Sequence, residues 1–121
     1  MIYVTLDLSG NDRVFISNCY RYESGLRTLA LYREPPPGLP SHDEVKAEID
    51  GLQGDFEGGA NGDRVFISKR KMARKKVTEM FKNIMSYLRS VAKEDDIPAL
   101  IQAGFGVRRF GGRKKSVVAP A

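Results

Sequence analysis

The segment SHDEVKAEIDGLQGDFE, residues 41–57, carries the clearest helix signal in the chain. Ser41 and Glu44 have the spacing of a capping box, in which each side chain accepts a hydrogen bond from the backbone N–H of the other residue. Apolar side chains then recur every three or four residues, at Val45, Ile49, Leu52 and Phe56. Because this spacing is typical of an amphipathic helix, we predict a helix that packs by one face against the rest of the chain.

Residues 12–32, which precede this helix, are open to two interpretations. A helical stripe connects the apolar positions Phe15, Cys19, Tyr22, Leu26 and Leu29. Two strands at residues 14–16 and 29–32, joined by a turn at 23–25, are the alternative, because both segments are rich in β-prone residues. The regular stripe favours a helix that is capped by Asn11 or Asp12. The proline-rich residues 35–40 end it and are interpreted as a stiff connector.

The longest helix is predicted at residues 63–93, where an apolar stripe runs from Ala73 to Val91. Glycines occupy the loop between this helix and the one before it, so the two helices should pack antiparallel. A short fourth helix is predicted to start at Asp96 as its N-cap and to end at Gly104. Phe105 should then pack back near Leu100.

These elements predict a mainly α fold: three longer helices and a short fourth in an antiparallel bundle, preceded by an N-terminal extended or β segment. The alternation of apolar and polar residues over 2–8 is the strand signal. The predicted organisation is an N-terminal segment at 1–9, a helical bundle domain at 10–105 and a basic Gly/Arg/Lys tail at 106–121.

Composition narrows the possible functions. The chain has 121 residues and a net charge of +5, which suits one domain with one modest core. Cys19 and His42 are the only residues of their kinds, which excludes a disulfide framework and histidine-rich metal sites. Cys19 is predicted to be a core residue and His42 to be solvated. Glu94, Asp95 and Asp96 are interpreted as a solvated cluster at a helix start rather than as a cation site.

Sequence motifs of catalysis are missing as well. The chain contains no phosphate-binding loop, no Gly-x-Ser-x-Gly and no His-Glu-x-x-His. We therefore predict a protein that is not an enzyme, with no catalytic, cofactor-binding or metal-binding residues and no evident small-molecule substrate. No apolar run is long enough for a membrane span, and no signal peptide is visible, so a cytoplasmic location is the default expectation. Export by another route, or carriage on a particle, stays open.

Charge is strongly segregated along the chain. Residues 41–59 carry a net charge of −5, whereas residues 64–93 carry +9. The basic side chains of the third helix are predicted either to pair with the acidic second helix or to follow the phosphates of a nucleic acid. The candidate nucleic-acid face consists of Lys69, Arg70, Arg74, Lys75 and Lys76. Internal pairing is the favoured interpretation, since no aromatic residues for base stacking are interleaved with this run.

Both chain ends are predicted to contact other chains. The N-terminal strand has no certain partner in its own sequence, and an unpaired strand edge invites pairing with another chain. The tail is basic and has no acidic counterpart; a disordered solubilising tail is the alternative to a docking arm. The candidate interaction residues are Ile2, Val4, Leu6, Arg108, Arg109, Phe110, Arg113, Lys114 and Lys115.

Four features give residues 10–109 a family resemblance. They are LYREPPP at 31–37, ANGD at 60–63, spaced basic residues followed by Tyr87-Leu88, and AGFGVR at 103–108. In these features the chain resembles a family of small bacterial helical proteins, some of which occur beside or fused to fibronectin type III modules. The resemblance implies a helix at residues 12–32, and it implies no catalytic residues. The N-terminal segment and the basic tail lie outside the pattern.

The function predicted from the sequence is a structural or protein-interaction module that works as a subunit of a larger assembly, through self-association or within a complex. The alternative is a nucleic-acid-binding protein that uses the third helix and the tail. Steep loss of affinity with salt would distinguish a phosphate-binding protein from the interaction module.

Overall fold

The structure is a computed structural model that describes residues 2–59 and 64–109. Its elements are β1 (Ile2–Thr5), α1 (Asp12–Thr28), α2 (His42–Gly59), α3 (Arg64–Val91), α4 (Ile97–Gln102) and β2 (Gly106–Arg109). Short 3-10 turns lie at Ala30–Tyr32 and Glu94–Asp96. The predicted mainly α class, with three long helices and a short fourth, is confirmed.

Residues 12–28 form a helix, so the helical interpretation of this region is confirmed over the two-strand alternative. The Asn11 side chain accepts a hydrogen bond of 3.0 Å from the Val14 N–H and caps the start of α1. The helix is shorter than predicted, because Leu29 has an extended conformation, with φ −85° and ψ 125°. A separate 3-10 turn then leads to the prolines.

Helix α2 begins with the predicted capping box. The Ser41 N–H donates to Glu44 Oε1 at 2.8 Å, and the Glu44 N–H donates to Ser41 Oγ at 3.2 Å. Its apolar stripe is buried at Val45, Ile49 and Leu52. Helix α2 packs against both α1 and α3. The core therefore lies along the inner faces of these helices and is closed by the strands and α4.

The turn after α4 follows the prediction, whereas the start of α4 does not. Gly104 has a left-handed φ of +103°, and the Phe105 N–H donates to the Leu100 carbonyl at 3.1 Å. Phe105 is buried and stacks on Tyr22 with ring centroids 5.2 Å apart. Asp96 does not cap α4 with its side chain; its carboxylate accepts a hydrogen bond of 2.8 Å from the Lys93 N–H. The preceding 3-10 turn already fixes Asp96, so its carboxylate points backwards along the chain.

The N-terminal segment forms an antiparallel pair with β2. Ile2 lies opposite Arg109, and Thr5 lies opposite Gly106. The strand that had no certain partner in the sequence is therefore paired within its own chain. This pairing joins the predicted N-terminal segment 1–9 to the first residues of the predicted tail 106–121. Within the described part of the chain, no helix is long and apolar enough to cross a membrane.

Candidate interaction surface

Two arginines of the basic run are used inside the molecule. Arg70 and Arg74 reach the carboxylate of Asp12, at 2.9 and 2.7 Å, and so tie α3 to the start of α1. The Arg74 guanidinium also lies 4.2 Å from the centre of the Phe15 ring and donates to the Gly10 carbonyl at 2.9 Å. These contacts give both arginines a structural role, which the sequence pattern does not predict because Asp12 is distant in sequence.

Among the described residues, one ion pair joins α2 to the basic run, and the Arg70 guanidinium also lies 5.4 Å from the centre of the Phe56 ring. Lys76 Nζ lies 3.0 Å from Glu48 Oε1, as the sequence predicted. Asp50, another acid of α2, does not pair with the basic run: it accepts a hydrogen bond of 2.6 Å from the Tyr20 hydroxyl and pairs with Lys46. These two contacts lower the pKa of Asp50, the tyrosine hydrogen bond first. In the described part of the chain, direct ion pairing with α2 therefore involves only one cation of α3.

The outward face of α3 exposes apolar side chains among lysines. Met72 is 73% exposed and Val65 is 62% exposed, and they lie seven residues apart on one side of the helix. Lys69 and Lys76 lie beside them along the same face. An apolar centre with a polar rim is the usual arrangement of a protein-binding surface. We call these four residues the α3 face.

A second set of cations forms a straight line along the flank of α3. The set, which we call the basic stripe, is Arg64, Lys71, Lys75, Lys82 and Arg89. Its members are separated by seven or four residues, and such spacings return to the same side of a helix. At 1.5 Å per residue, the stripe is about 37 Å long. This spacing is hard to recognise in the sequence, because several stripe residues stand next to other lysines and arginines. Only Lys75 belongs to the predicted nucleic-acid face.

Helix α2 presents an acidic face of matching spacing. Asp43, Asp50 and Glu57 are exposed and follow each other at seven-residue intervals. Gly51 and Gly54 lie beside them and leave a shallow, open area on the helix surface, because an added Cβ at either position would meet nothing within 4 Å. Lys46 and Arg27 offset part of this charge. We call the three carboxylates and the two glycines the α2 face.

The predicted interaction residues at the chain ends differ in how far they are buried. Ile2 and Val4 are buried in the core of their own chain, and Leu6 packs partly against it. They are therefore part of the hydrophobic core that the paired strands close. The Arg108 side chain is exposed, and Arg109 lies in β2. Phe110, Arg113, Lys114 and Lys115 lie outside the described residues.

Cys19 and His42, the two residues that occur once in the sequence, both pack against other side chains. Cys19 is fully buried, and burial raises the pKa of its thiol to about 12. His42 differs from the solvated residue that was predicted: its ring packs edge-on against Tyr32 at 5.5 Å, and its Nδ1 atom is buried. Within residues 2–59 and 64–109, no three His, Cys, Asp or Glu side chains are grouped to hold a metal ion.

Comparison with known protein families, with curated proteins and with solved structures found no match. The resemblance to the bacterial helical family therefore stays a prediction.

Proposed function

We propose that this protein is a non-enzymatic module that assembles with copies of itself, by docking the α3 face of one copy on the α2 face of the next. The exposure of Met72 in the centre of a lysine-rich helix surface is the observation that carries the proposal. An apolar side chain at 73% exposure gains free energy when a partner removes it from water. Its lysine neighbours make an acidic partner surface the favourable one.

The α2 face offers that surface. Its carboxylates are complementary in charge to the lysines of the α3 face, and the low surface at Gly51 and Gly54 leaves room for the Met72 side chain. Because the two faces lie on different helices of one chain, the contact is heterologous. Such contacts build rings or open filaments rather than closed two-fold dimers, which fits a subunit of a larger assembly.

Two complementary variants test this arrangement. Met72→Asp damages the α3 face and leaves the α2 face intact, whereas Asp43→Lys combined with Glu57→Lys does the reverse. Light scattering should give a mass that rises with concentration for the unchanged chain and a monomer for each variant alone. An equimolar mixture of the two variants should form a dimer, because each retains one working face.

The matched control is Ile101→Asp, which places the same charge at a 58% exposed position on α4. It should assemble like the unchanged chain. A monomeric mixture of the two face variants, or an unchanged chain that stays monomeric at every concentration, would reject the proposal.

The basic stripe supports nucleic-acid binding as a second candidate function. Three of the five residues predicted for this role, Arg70, Arg74 and Lys76, pair inside the chain. The stripe supplies five other positions, counting Lys75, on a line of about 37 Å. Two of the five also have contacts inside the chain, Lys82 with Glu79 and Arg89 with the Val4 carbonyl. Five phosphate contacts would make the logarithm of the affinity fall by about 4–5 per logarithmic unit of salt on duplex DNA.

Anisotropy titrations of a labelled DNA duplex and a labelled RNA, each at several salt concentrations, test this candidate. Lys75→Glu with Lys82→Glu should weaken binding and flatten the salt dependence. Lys46→Glu, on α2, is the control and should have a smaller effect. Equal effects of the three substitutions, or no binding at low salt, would remove nucleic acid as a candidate.

A further inference from the structure

The strands and the second half of α3 enclose a groove of about 650 Å³. Its apolar lining comes from Leu6, Leu8 and Met85, whereas its charged lining is entirely basic: Lys82, Arg89 and Arg108. Four residues that carry hydroxyl groups, Tyr3, Thr5, Thr78 and Ser86, also line it. A volume of this size, with an apolar lining and a few polar groups, is typical of small-molecule sites.

Arg89 is held firmly at the groove. Its Nε donates a hydrogen bond of 2.9 Å to the Val4 carbonyl, and its guanidinium lies 3.7 Å from the centre of the Tyr3 ring. Among the described residues, no hydrogen bond or ion pair engages its two Nη groups. A guanidinium whose orientation is already fixed loses less conformational entropy when it binds an anion. Arg89 is therefore a preorganised donor.

Arg108 supplies a second guanidinium beside the first. The strand register places Arg108 directly opposite Tyr3, the residue on which Arg89 stacks. Lys82 lies seven residues before Arg89, two helical turns away along the same flank of α3, and its ion pair with Glu79 is long, at 3.7 Å, and exposed. Three cations therefore line one groove with apolar side chains, and none of the described residues places a carboxylate in it.

We propose that this groove binds a long-chain carboxylate, a small amphiphile of the fatty-acid class. The carboxylate would pair with Arg89 and Arg108, and the hydrocarbon chain would cover Leu6, Leu8 and Met85. Charge complementarity selects an anion, and the apolar lining selects a chain rather than a bare ion. The Arg89 hydrogen bond to Val4 occupies part of the strand edge, which makes the groove less suited to an added peptide strand.

Calorimetric titration with dodecanoate, below its micelle concentration, tests the site on the full chain. Dodecanol has the same chain without the charge, and acetate has the charge without the chain; both should bind at least about tenfold more weakly than dodecanoate. Affinity should also rise from octanoate to dodecanoate, because each added methylene buries more apolar surface.

Arg108→Gln and Lys82→Gln are the informative variants, since both side chains are exposed and neither supports the core. Arg108→Gln should weaken dodecanoate binding about tenfold. Arg33→Gln, a matched change outside the groove, should leave the affinity unchanged. Binding of dodecanol as tight as that of dodecanoate, an affinity independent of chain length, or equal losses in the Arg108 and Arg33 variants would overturn the proposal.

This site is separable from the assembly, because Met72→Asp should keep dodecanoate binding while it loses self-association. Dodecanoate binding that is lost together with assembly would place the ligand between subunits and overturn the groove as its site.

Discussion

At the scale of single residues, Gly25 marks the closest approach between α1 and the turn after α4. A Cβ at this position would lie 2.0 Å from the Ala103 carbonyl oxygen and 2.8 Å from its carbon. The sequence identified Gly25 only as a weak point of a helix, where glycine costs about 1 kcal/mol relative to alanine. The structure shows why a larger residue does not fit: the contact is with backbone, which cannot rotate away.

Gly25→Ala should therefore destabilise the protein by about 1–3 kcal/mol, the usual cost of overpacking, despite the better helix propensity of alanine. Gly51→Ala is the matched control, since its Cβ would meet nothing within 4 Å. That control should gain about 1 kcal/mol. Urea denaturation followed by circular dichroism measures both, and an equal gain in the two variants would contradict the close contact at Gly25.

Cys19 gives the stability a pH dependence. Burial raises the pKa of its thiol from 9.0 to about 12, so the folded state holds the proton where the unfolded state releases it. The contribution is complete below pH 9 and is lost as the pH rises towards 12. In this window the free energy of unfolding should fall by up to about 1.4 kcal/mol per pH unit from this one group.

Denaturation midpoints measured between pH 8 and pH 10 test this, with Cys19→Ala as the comparison. The variant should show a flatter profile just above pH 9, although the remaining decline includes Tyr32, whose pKa burial also raises to about 12. In the unchanged protein, a thiol reagent at neutral pH should react only as fast as the chain unfolds. Parallel profiles for the two proteins would show that the Cys19 thiol is not buried.

At the scale of elements, the helices were predictable because the signals that build them are local. The Ser41 capping box, the apolar stripe of α2 and the Gly104 turn each involve residues within a few positions of one another. The predicted end of α1 was less accurate. The helix ends at Thr28 because Leu29 is extended, and the apolar stripe, which includes Leu29, does not reveal this change of backbone conformation. The contacts of the basic run were predicted even less completely, because Asp12, which pairs with both Arg70 and Arg74, is distant in sequence.

Asp12 is the carboxylate that joins two helices. Asp12 is 25% exposed, and the two arginines that it pairs with are 21% and 28% exposed. Glu48 is 30% exposed, but its partner Lys76 is 74% exposed. Asp12→Asn should cost about 2 kcal/mol, because it removes two charge-assisted contacts and leaves two partly buried cations. Glu48→Gln should cost less than about 1 kcal/mol.

Thermal or urea denaturation at two salt concentrations compares these variants. The loss from Glu48→Gln should shrink further in high salt, since exposed pairs are screened, while most of the loss from Asp12→Asn should persist. A smaller loss from Asp12→Asn than from Glu48→Gln would mean that the favoured pairing with α2, rather than the link to α1, holds the basic helix.

At the scale of the whole molecule, the pairing of the two strands closes the chain on itself. Ile2 and Arg109 meet across almost the full length of the described sequence. Contacts of such high sequence separation have no local signature, because only the assembled helices bring the two segments together. The alternation at residues 2–8 therefore predicted a strand, which the structure has over Ile2–Thr5 only, and it contained no information about the partner of that strand.

Strand β1 contributes Ile2 and Val4 to the core and is paired with β2, so deleting it tests how much the strand pair stabilises the protein. Deleting residues 1–8 exposes the surface that Ile2 and Val4 cover, which should cost about 1.5–3 kcal/mol for each side chain. The deletion also removes the hydrogen bond of 2.8 Å from the Asp7 N–H to the Tyr22 hydroxyl. A synthetic peptide of residues 1–9, added in trans, should restore the denaturation midpoint by filling the vacant place beside β2.

The same peptide with Val4→Asp should fail, because it would bury a charge at a position that is 0% exposed. A Ser9→Ala peptide, altered at an exposed position, should succeed. If the peptide restores the midpoint, the place beside β2 accepts a strand that is not covalently attached. The strand of a second copy should then fit it as well, and concentrated protein should exchange β1 between chains. Unchanged stability after the deletion would mean that the strand pair does not close the core.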